Sequence, residues 1–251
     1  MTGTSMNIRT VFLILAGSLL LSEPADASDK VIKDKITSQN KARNFYLFVP
    51  ESVKPNTPAP MIVLLHGSGR NGLTLVDKWK DLAAKEGVIL VGPDSFDSVK
   101  WAAPVDGPDF LHDLVENLKS KYPVDPRRVY LFGHSGGAVF TLYMSLFESQ
   151  YFAAAAAHAG ALHRQDPAIS LAKRKTPIAM FVGTRDPLFP LDDVRTTRND
   201  LNKEGFSVEL TEIPGHDHNY YDISAKINQQ VWDFLKKNSL NADPLYEQYR
   251  W

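Results

Sequence analysis

Ser135 stands in the pentapeptide Gly133-His134-Ser135-Gly136-Gly137, between an apolar run, Val129 to Phe132, and a run of helical character, Ala138 to Glu148. Strand, sharp turn and helix in that order present a serine hydroxyl at the end of a sheet. The turn is too tight for side chains at its flanking positions, and glycine removes that clash. A serine hydroxyl is a poor nucleophile at its own pKa, so Ser135 needs a base to take its proton and an acid to orient that base. The acid belongs just past a strand that follows the serine, and the base in the loop past the last strand. Asp186 meets the first condition, four residues beyond Val182 and followed by Pro187. Asp192 and Asp193 are rivals, but they open the next helix, where carboxylates cap or offset the helix dipole. For the base, His216 and His218 both lie in Pro214-Gly215-His216-Asp217-His218-Asn219-Tyr220-Tyr221, and the residues alone leave the choice open.

The tetrahedral oxyanion of acyl transfer needs two backbone N–H groups. Gly136, at the start of the helix after the nucleophile, supplies one expected donor. The loop His66-Gly67-Ser68-Gly69 supplies the other, with Ser68 the expected residue. The side chain of His66 reads as a brace for that loop. His112, His134, His158 and His163 are scattered, and no H-E-x-x-H spacing is present, so no metal is expected. Neither G-x-G-x-x-G after the first strand nor G-x-x-x-x-G-K-[ST] occurs, so no cofactor is expected either.

The elements that must hold these residues follow from periodicity. Val31 to Thr37 and Asn44 to Val49 read as a hairpin around Ser38-Gln39-Asn40-Lys41. Met61 to Leu65 and Val88 to Val91 are continuous apolar runs of strand length, as in a parallel sheet buried on both faces. Helices are expected at Thr74 to Glu86, stopped by Gly87, and at Pro108 to Tyr122, with an irregular segment from Gly92 to Gly107 before the second. Phe152 to Ala157 is alanine-rich, which favours helix, yet its place between two βα units argues for a strand. Further strands at Pro177 to Val182 and Ser207 to Ile213, and helices at Leu191 to Glu204 and Ile223 to Lys237, complete an alternating order. That order predicts an α/β fold with a mostly parallel twisted sheet, an N-terminal antiparallel hairpin and helices on both faces. The tail Asn238 to Trp251, with Tyr246, Tyr249 and Trp251, reads as a packed C-terminal flap.

Arg9, the apolar stretch Val11 to Leu21 and the small-x-small site Ala25-Asp26-Ala27 have the layout of a secretory signal peptide, and Met6 serves equally well as its start. Cleavage after Ala27 and export to the periplasm or medium are expected, leaving one domain from 28 to 251. Without those residues the chain carries 27 basic and 27 acidic side chains. A balanced charge argues against nucleic acid or an anionic membrane as partner of the mature chain. The chain has no cysteine, which excludes disulfides, thiol catalysis and thiolate metal sites.

Residues from about Asn44 to Lys237 resemble an α/β-hydrolase. Leu64-Leu65-His66-Gly67, the segment Val124-Asp125-Pro126-Arg127-Arg128-Val129-Tyr130-Leu131-Phe132-Gly133-His134-Ser135-Gly136-Gly137, and Phe152-Ala153-Ala154 resemble the polyhydroxybutyrate depolymerase and feruloyl esterase group. Gly183-Thr184-Arg185-Asp186 with Pro190 is similar to the G-x-x-D-x-x-x-P pattern around that group's acid. Asp217-His218-Asn219-Tyr220-Tyr221 is similar to the Asp-His-Ser-Tyr-Tyr that carries the catalytic histidine in esterase D relatives, and this resemblance implies His218 as the base.

The expectation is therefore an exported serine carboxylesterase acting on a small-molecule or oligomeric ester, with Ser135, Asp186 and His218 as triad. Two alternatives stand beside it: a peptidase of the prolyl-oligopeptidase type, and a catalytically silent hydrolase fold that binds a sugar or polymer through exposed aromatics. The stretch from His158 to Thr176 is too short for a large lid, which predicts an open cleft. Its walls are expected from Trp101, His134 and Leu188, with Phe96, His158 to Leu162 and Phe189 as further contributors.

Overall fold

The computed structural model describes residues 28–247; the expected leader and the aromatic residues Tyr249 and Trp251 lie outside them. The chain opens with β1 (Ser28–Ser38) and β2 (Lys41–Val49), paired antiparallel with Ser38 opposite Lys41. Gln39 and Asn40 between them both carry positive φ, 49° and 60°. That is the two-residue connection whose twist matches paired strands. There follow β3 (Ala59–Leu65), α1 (Gly72–Glu86), β4 (Ile89–Pro93), α2 (Pro108–Lys119), β5 (Val124–His134), α3 (Gly136–Phe147) and β6 (Ala154–His158). Then come α4 (Ala168–Leu171), β7 (Ile178–Gly183), α5 (Leu191–Lys203), β8 (Val208–Ile213) and α6 (Tyr220–Leu235).

The strands form one eight-stranded sheet in the order β1-β2-β4-β3-β5-β6-β7-β8. The β1/β2 and β2/β4 pairs are antiparallel and every other pair is parallel, the α/β-hydrolase arrangement. The apolar runs are explained by two-sided burial. In β3, Met61, Val63 and Leu65 join the core on one face, with α2, α3 and α5, while Ile62 and Leu64 join the core on the other, with α1 and α6. β5 divides in the same way: Val129 and Leu131 against Tyr130 and Phe132. Strand alternation sends successive side chains to opposite faces, so both must be apolar where helices cover both.

Differences from expectation lie at element ends. β5 starts at Val124, because Asp125-Pro126-Arg127-Arg128 continues the extended chain; Arg128 there donates to Asp125 and to the Pro58 carbonyl. α6 begins at Tyr220, three residues early, because the Asn219 side chain accepts the Tyr221 N–H and so caps it. α2 stops at Lys119. Within the stretch between β6 and β7 the one helix is the four-residue α4, too short for a periodicity signal. The alanine-rich segment Ala154–His158 is a strand: it pairs with β5 and β7 in the middle of the sheet, where context overrides alanine's helix preference.

Candidate active site

The elbow is built by close approach. Ser135 has φ 58° and ψ −124°, a conformation an L-residue occupies only under constraint. Its N–H donates to the His158 carbonyl of β6, and its carbonyl accepts the N–H groups of Ala138 and Val139 as α3 begins. A Cβ on Gly133 would lie 2.2 Å from the Gly137 carbonyl oxygen, and one on Gly137 would lie 2.0 Å from that of Leu65. The two outer glycines therefore allow α3 to start directly against β3 and β5, which drives the Ser135 side chain outward.

Asp186 follows the end of β7. Its side chain is buried, and Oδ1 accepts the N–H groups of Leu188 and Phe189 at 2.9 and 3.0 Å, which leaves Oδ2 aimed at His218. The loop that carries the histidine is docked on the same strand end: Arg185 N–H donates to the His216 carbonyl, and Gly215 N–H to Thr184 Oγ1. His218 Nδ1 lies 2.8 Å from Asp186 Oδ2, and His218 Nε2 lies 2.9 Å from Ser135 Oγ. Three side chains from three connections thus form one hydrogen-bonded line. The Phe189 ring lies nearly parallel to His218, with centroids 5.8 Å apart. His216 points elsewhere: its ring meets His158 edge-on at 5.9 Å, and its Nε2 is buried without a partner.

Ser68 and Gly136 face one another across the serine. A Cβ on Gly136 would lie 3.0 Å from Ser68 Oγ and 3.8 Å from the Ser68 amide nitrogen. Among the described residues neither amide is engaged in a hydrogen bond, so two free N–H groups border Ser135. The loop is braced from below. His66, buried, accepts the Ser95 N–H at Nε2 and contacts the Gly67 carbonyl through Nδ1, and burial lowers its pKa. Trp101 donates its indole N–H to the His66 carbonyl at 2.8 Å and stacks on Phe140.

Ser135 opens on a cleft of about 400 Å³. His134 and Leu188 line it, as does Pro187. Trp101 does not: with its indole N–H tied to the His66 carbonyl, it supports the loop that carries Ser68 rather than forming the wall. Phe96, His158, Leu162 and Phe189 are not on the lining either; Phe96 is exposed beside Lys41 and Arg43, and His158 and Leu162 are buried. The walls instead include Arg70, Asp217, Asn219 and Tyr221, with the Arg70 guanidinium 4.3 Å above the Tyr221 ring. Asn219 and Tyr221 follow His218 closely in sequence, so their proximity was readable; Arg70, beyond Gly69, carried no sequence signal. Among the described residues no group of three or more His, Asp or Glu side chains is placed to hold a metal ion.

Behind His218 lie two more histidines. His134 Nδ1 and His158 Nδ1 are 3.1 Å apart, and the His134 ring is 5.0 Å from that of His218. Burial, and after it the neighbouring histidines, lower the pKa of both His134 and His158 to about 3, so both are neutral at ordinary pH.

Residues 93–237, from the end of β4 through α6, match the Dienelactone hydrolase family, and they are more than half of the chain. The chain belongs to the dienelactone hydrolase family. The span of this dienelactone hydrolase match contains Ser135, Asp186 and His218. Among curated relatives, the bifunctional acetylxylan esterase/xylanase XynS20E of Neocallimastix patriciarum is 28% identical over 243 residues, 83% of this chain and 35% of that protein. Poly(3-hydroxyalkanoate) depolymerase C of Paucimonas lemoignei is 30% identical over 125 residues, 45% of this chain and 30% of its own. The chain thus spans about a third of the length of each of these two relatives. Among solved structures, the CE1 ferulic acid esterase of Anaeromyces mucronatus superposes with a TM-score of 0.64 at 18% identity, covering 80% of this chain and 88% of that one. At that identity the likeness is one of fold.

Proposed function

We propose that this chain is an exported serine carboxylesterase. The observation that carries the reading is the unbroken line Ser135 Oγ, His218 Nε2, His218 Nδ1, Asp186 Oδ2, with contacts of 2.9 and 2.8 Å. Ser135 Oγ attacks the ester carbonyl while His218 Nε2 takes its proton. Asp186 holds the imidazole by Nδ1 and stabilises the imidazolium that forms. The amides of Ser68 and Gly136 receive the negative charge of the tetrahedral intermediate. His218 returns the proton to the departing alcohol, an acyl-enzyme remains on Ser135, and water activated by His218 then releases the acid. Every group needed is on the chain.

Support for ester substrates comes from the hydrolase family and from a relative whose name states an esterase. The name of the acetylxylan esterase makes acetylated saccharides the first class to test. The route to the substrate is open, because α4 is the one helix between β6 and β7. Export rests on the Arg9, Val11 to Leu21 and Ala25-Asp26-Ala27 pattern. Among the described residues no helix is long and apolar enough to cross a membrane.

A fluorophosphonate probe should label Ser135, and para-nitrophenyl acetate should be hydrolysed. Folded protein that is neither labelled nor active on any of a panel of acetyl, feruloyl and short-chain esters ends the proposal. Mass spectrometry of protein recovered outside the cytoplasm should show Ser28 as the first residue.

A further inference from the structure

The His134–His158 pair lies outside the catalytic line yet touches the cleft. Both rings are neutral and their Nδ1 atoms are 3.1 Å apart, so one proton sits between them and two arrangements compete. If His134 carried that proton, His158 would be protonated on Nε2. That nitrogen is sealed from solvent and has no partner, and the nearby ring of His216 offers it no hydrogen bond. A buried N–H without an acceptor is the rarer and costlier orphan. If His158 carries the proton on Nδ1, its buried Nε2 is a bare lone pair, and His134 is protonated on Nε2.

The second arrangement puts a donor where something can meet it. His134 retains 5% of its exposure and lines the cleft that opens from Ser135. Its Nε2 is not among the buried partnerless nitrogens and has no protein hydrogen bond among the described residues. The adjoining Cδ2 atom lies 3.4 Å from where a Cβ on Gly67 would be, and the Cβ of Ser135 lies 3.3 Å from the same point. The Nε2 edge of His134 therefore runs beside the nucleophile and the oxyanion loop.

We infer that His134 is a specificity-determining residue: its Nε2–H, set by the Nδ1–H of His158, donates to a second oxygen of the substrate. The favoured class, resting on the esterase reading above, is an ester with a hydroxyl or ether oxygen close to the scissile bond, in its acyl or its alcohol part. His158 is a positioning residue, acting through the tautomer of its neighbour.

NMR of wild-type protein labelled with heavy nitrogen in histidine reads the tautomers without turnover. The expected result is protonation of His134 on Nε2 and of His158 on Nδ1; the reverse pair overturns the inference. The substrate half is read from two matched pairs of esters, para-nitrophenyl methoxyacetate against butanoate and ethylene glycol monoacetate against propyl acetate. Comparing enzymes on the same pair cancels intrinsic reactivity. In His134→Phe the kcat/KM ratio in favour of the oxygen-bearing member should fall about tenfold in at least one pair, the worth of one hydrogen bond. His134→Gln, which keeps an N–H donor, should retain most of the preference, and His158→Leu should weaken it while mixing the His134 tautomers. Unchanged ratios in His134→Phe for both pairs overturn the assignment. A wild-type enzyme that takes the fluorophosphonate label yet cleaves none of the four esters overturns this substrate class and leaves the esterase reading to the wider panel, whereas the NMR result judges the tautomer separately.

Discussion

Replacing Ser135 with alanine removes the oxygen that lies 2.9 Å from His218 Nε2, and kcat on an activated ester should drop by roughly 10⁴-fold or more. His218→Ala should be nearly as severe, because the three groups act as a unit. His216→Ala is the informative control: that ring meets His158, not Ser135, so activity should stay within about threefold. Steady-state rates of the three variants on para-nitrophenyl acetate check this. If His216→Ala were the dead variant, the roles assigned to the loop would be wrong. Both histidines stand in the loop that reaches Ser135, yet two residues of spacing carry no information about which ring turns inward. The turn at Gly215, with φ 69°, and the hydrogen bond from Arg185 N–H to the His216 carbonyl make that choice.

At the scale of elements, the elbow depends on how closely α3 can approach β3. A methyl group on Gly137 would meet the Leu65 backbone oxygen at 2.0 Å, and backbone in a central strand cannot yield. Gly137→Ala should therefore cost about 3 kcal/mol, an overpacking penalty in a fully packed layer, and should lower fluorophosphonate labelling as Ser135 shifts. Gly205 has positive φ but nothing within 4 Å of its missing Cβ, so Gly205→Ala should cost only about 1 kcal/mol. Denaturant unfolding of the two variants separates steric from conformational cost. The elements themselves were legible, because two-sided burial writes apolar runs and the glycine stops write their ends. The short helix α4 and the early start of α6 were not, since one lacks periodicity and the other depends on the Asn219 cap.

Across the whole molecule, a buried ion pair and a buried carboxyl connect regions far apart in sequence. Arg43 of β2 and Asp106 pair with almost no exposure, and Asp106 also accepts the N–H groups of Phe96 and Ala102. Asp106 thus shapes the irregular crossing that holds Ser95 and Trp101 against His66. Asp106→Ala strands the Arg43 charge and should cost about 3–5 kcal/mol, visible as a fall in thermal midpoint. Glu148, at the end of α3, is buried beneath the C-terminal segment, where it accepts the Glu247 N–H while Tyr246 stacks on His112. Burial pushes its carboxyl up to about 8. In the unfolded chain it titrates near the ordinary value, so between those two pH values the unfolded chain has released a proton the folded one keeps. Stability contributed by this group is complete below the unfolded value and is lost as pH rises through about 8. Glu148→Gln should therefore match the wild type in thermal midpoint near pH 4 and exceed it near pH 8, because the amide needs no proton to stay buried. Equal midpoints at both pH values would remove Glu148 as the cause.

By itself the sequence determined the order of strands and helices, the hairpin, the serine turn and the connections on which an acid and a base must lie. These are consequences of local patterns: burial on two faces, glycine at tight turns and polar residues at loops. The resemblance around His218 already favoured that histidine over His216, but only the tertiary structure brought its Nε2 to 2.9 Å from Ser135 Oγ, set Trp101 under the His66 loop instead of on the cleft, and made Arg70 and Tyr221 a wall. It alone also joined His134 to His158, 24 residues apart. Each of these is a contact between neighbours brought together by strand pairing and loop docking, and chain spacing does not encode the direction in which a side chain points once those elements have packed.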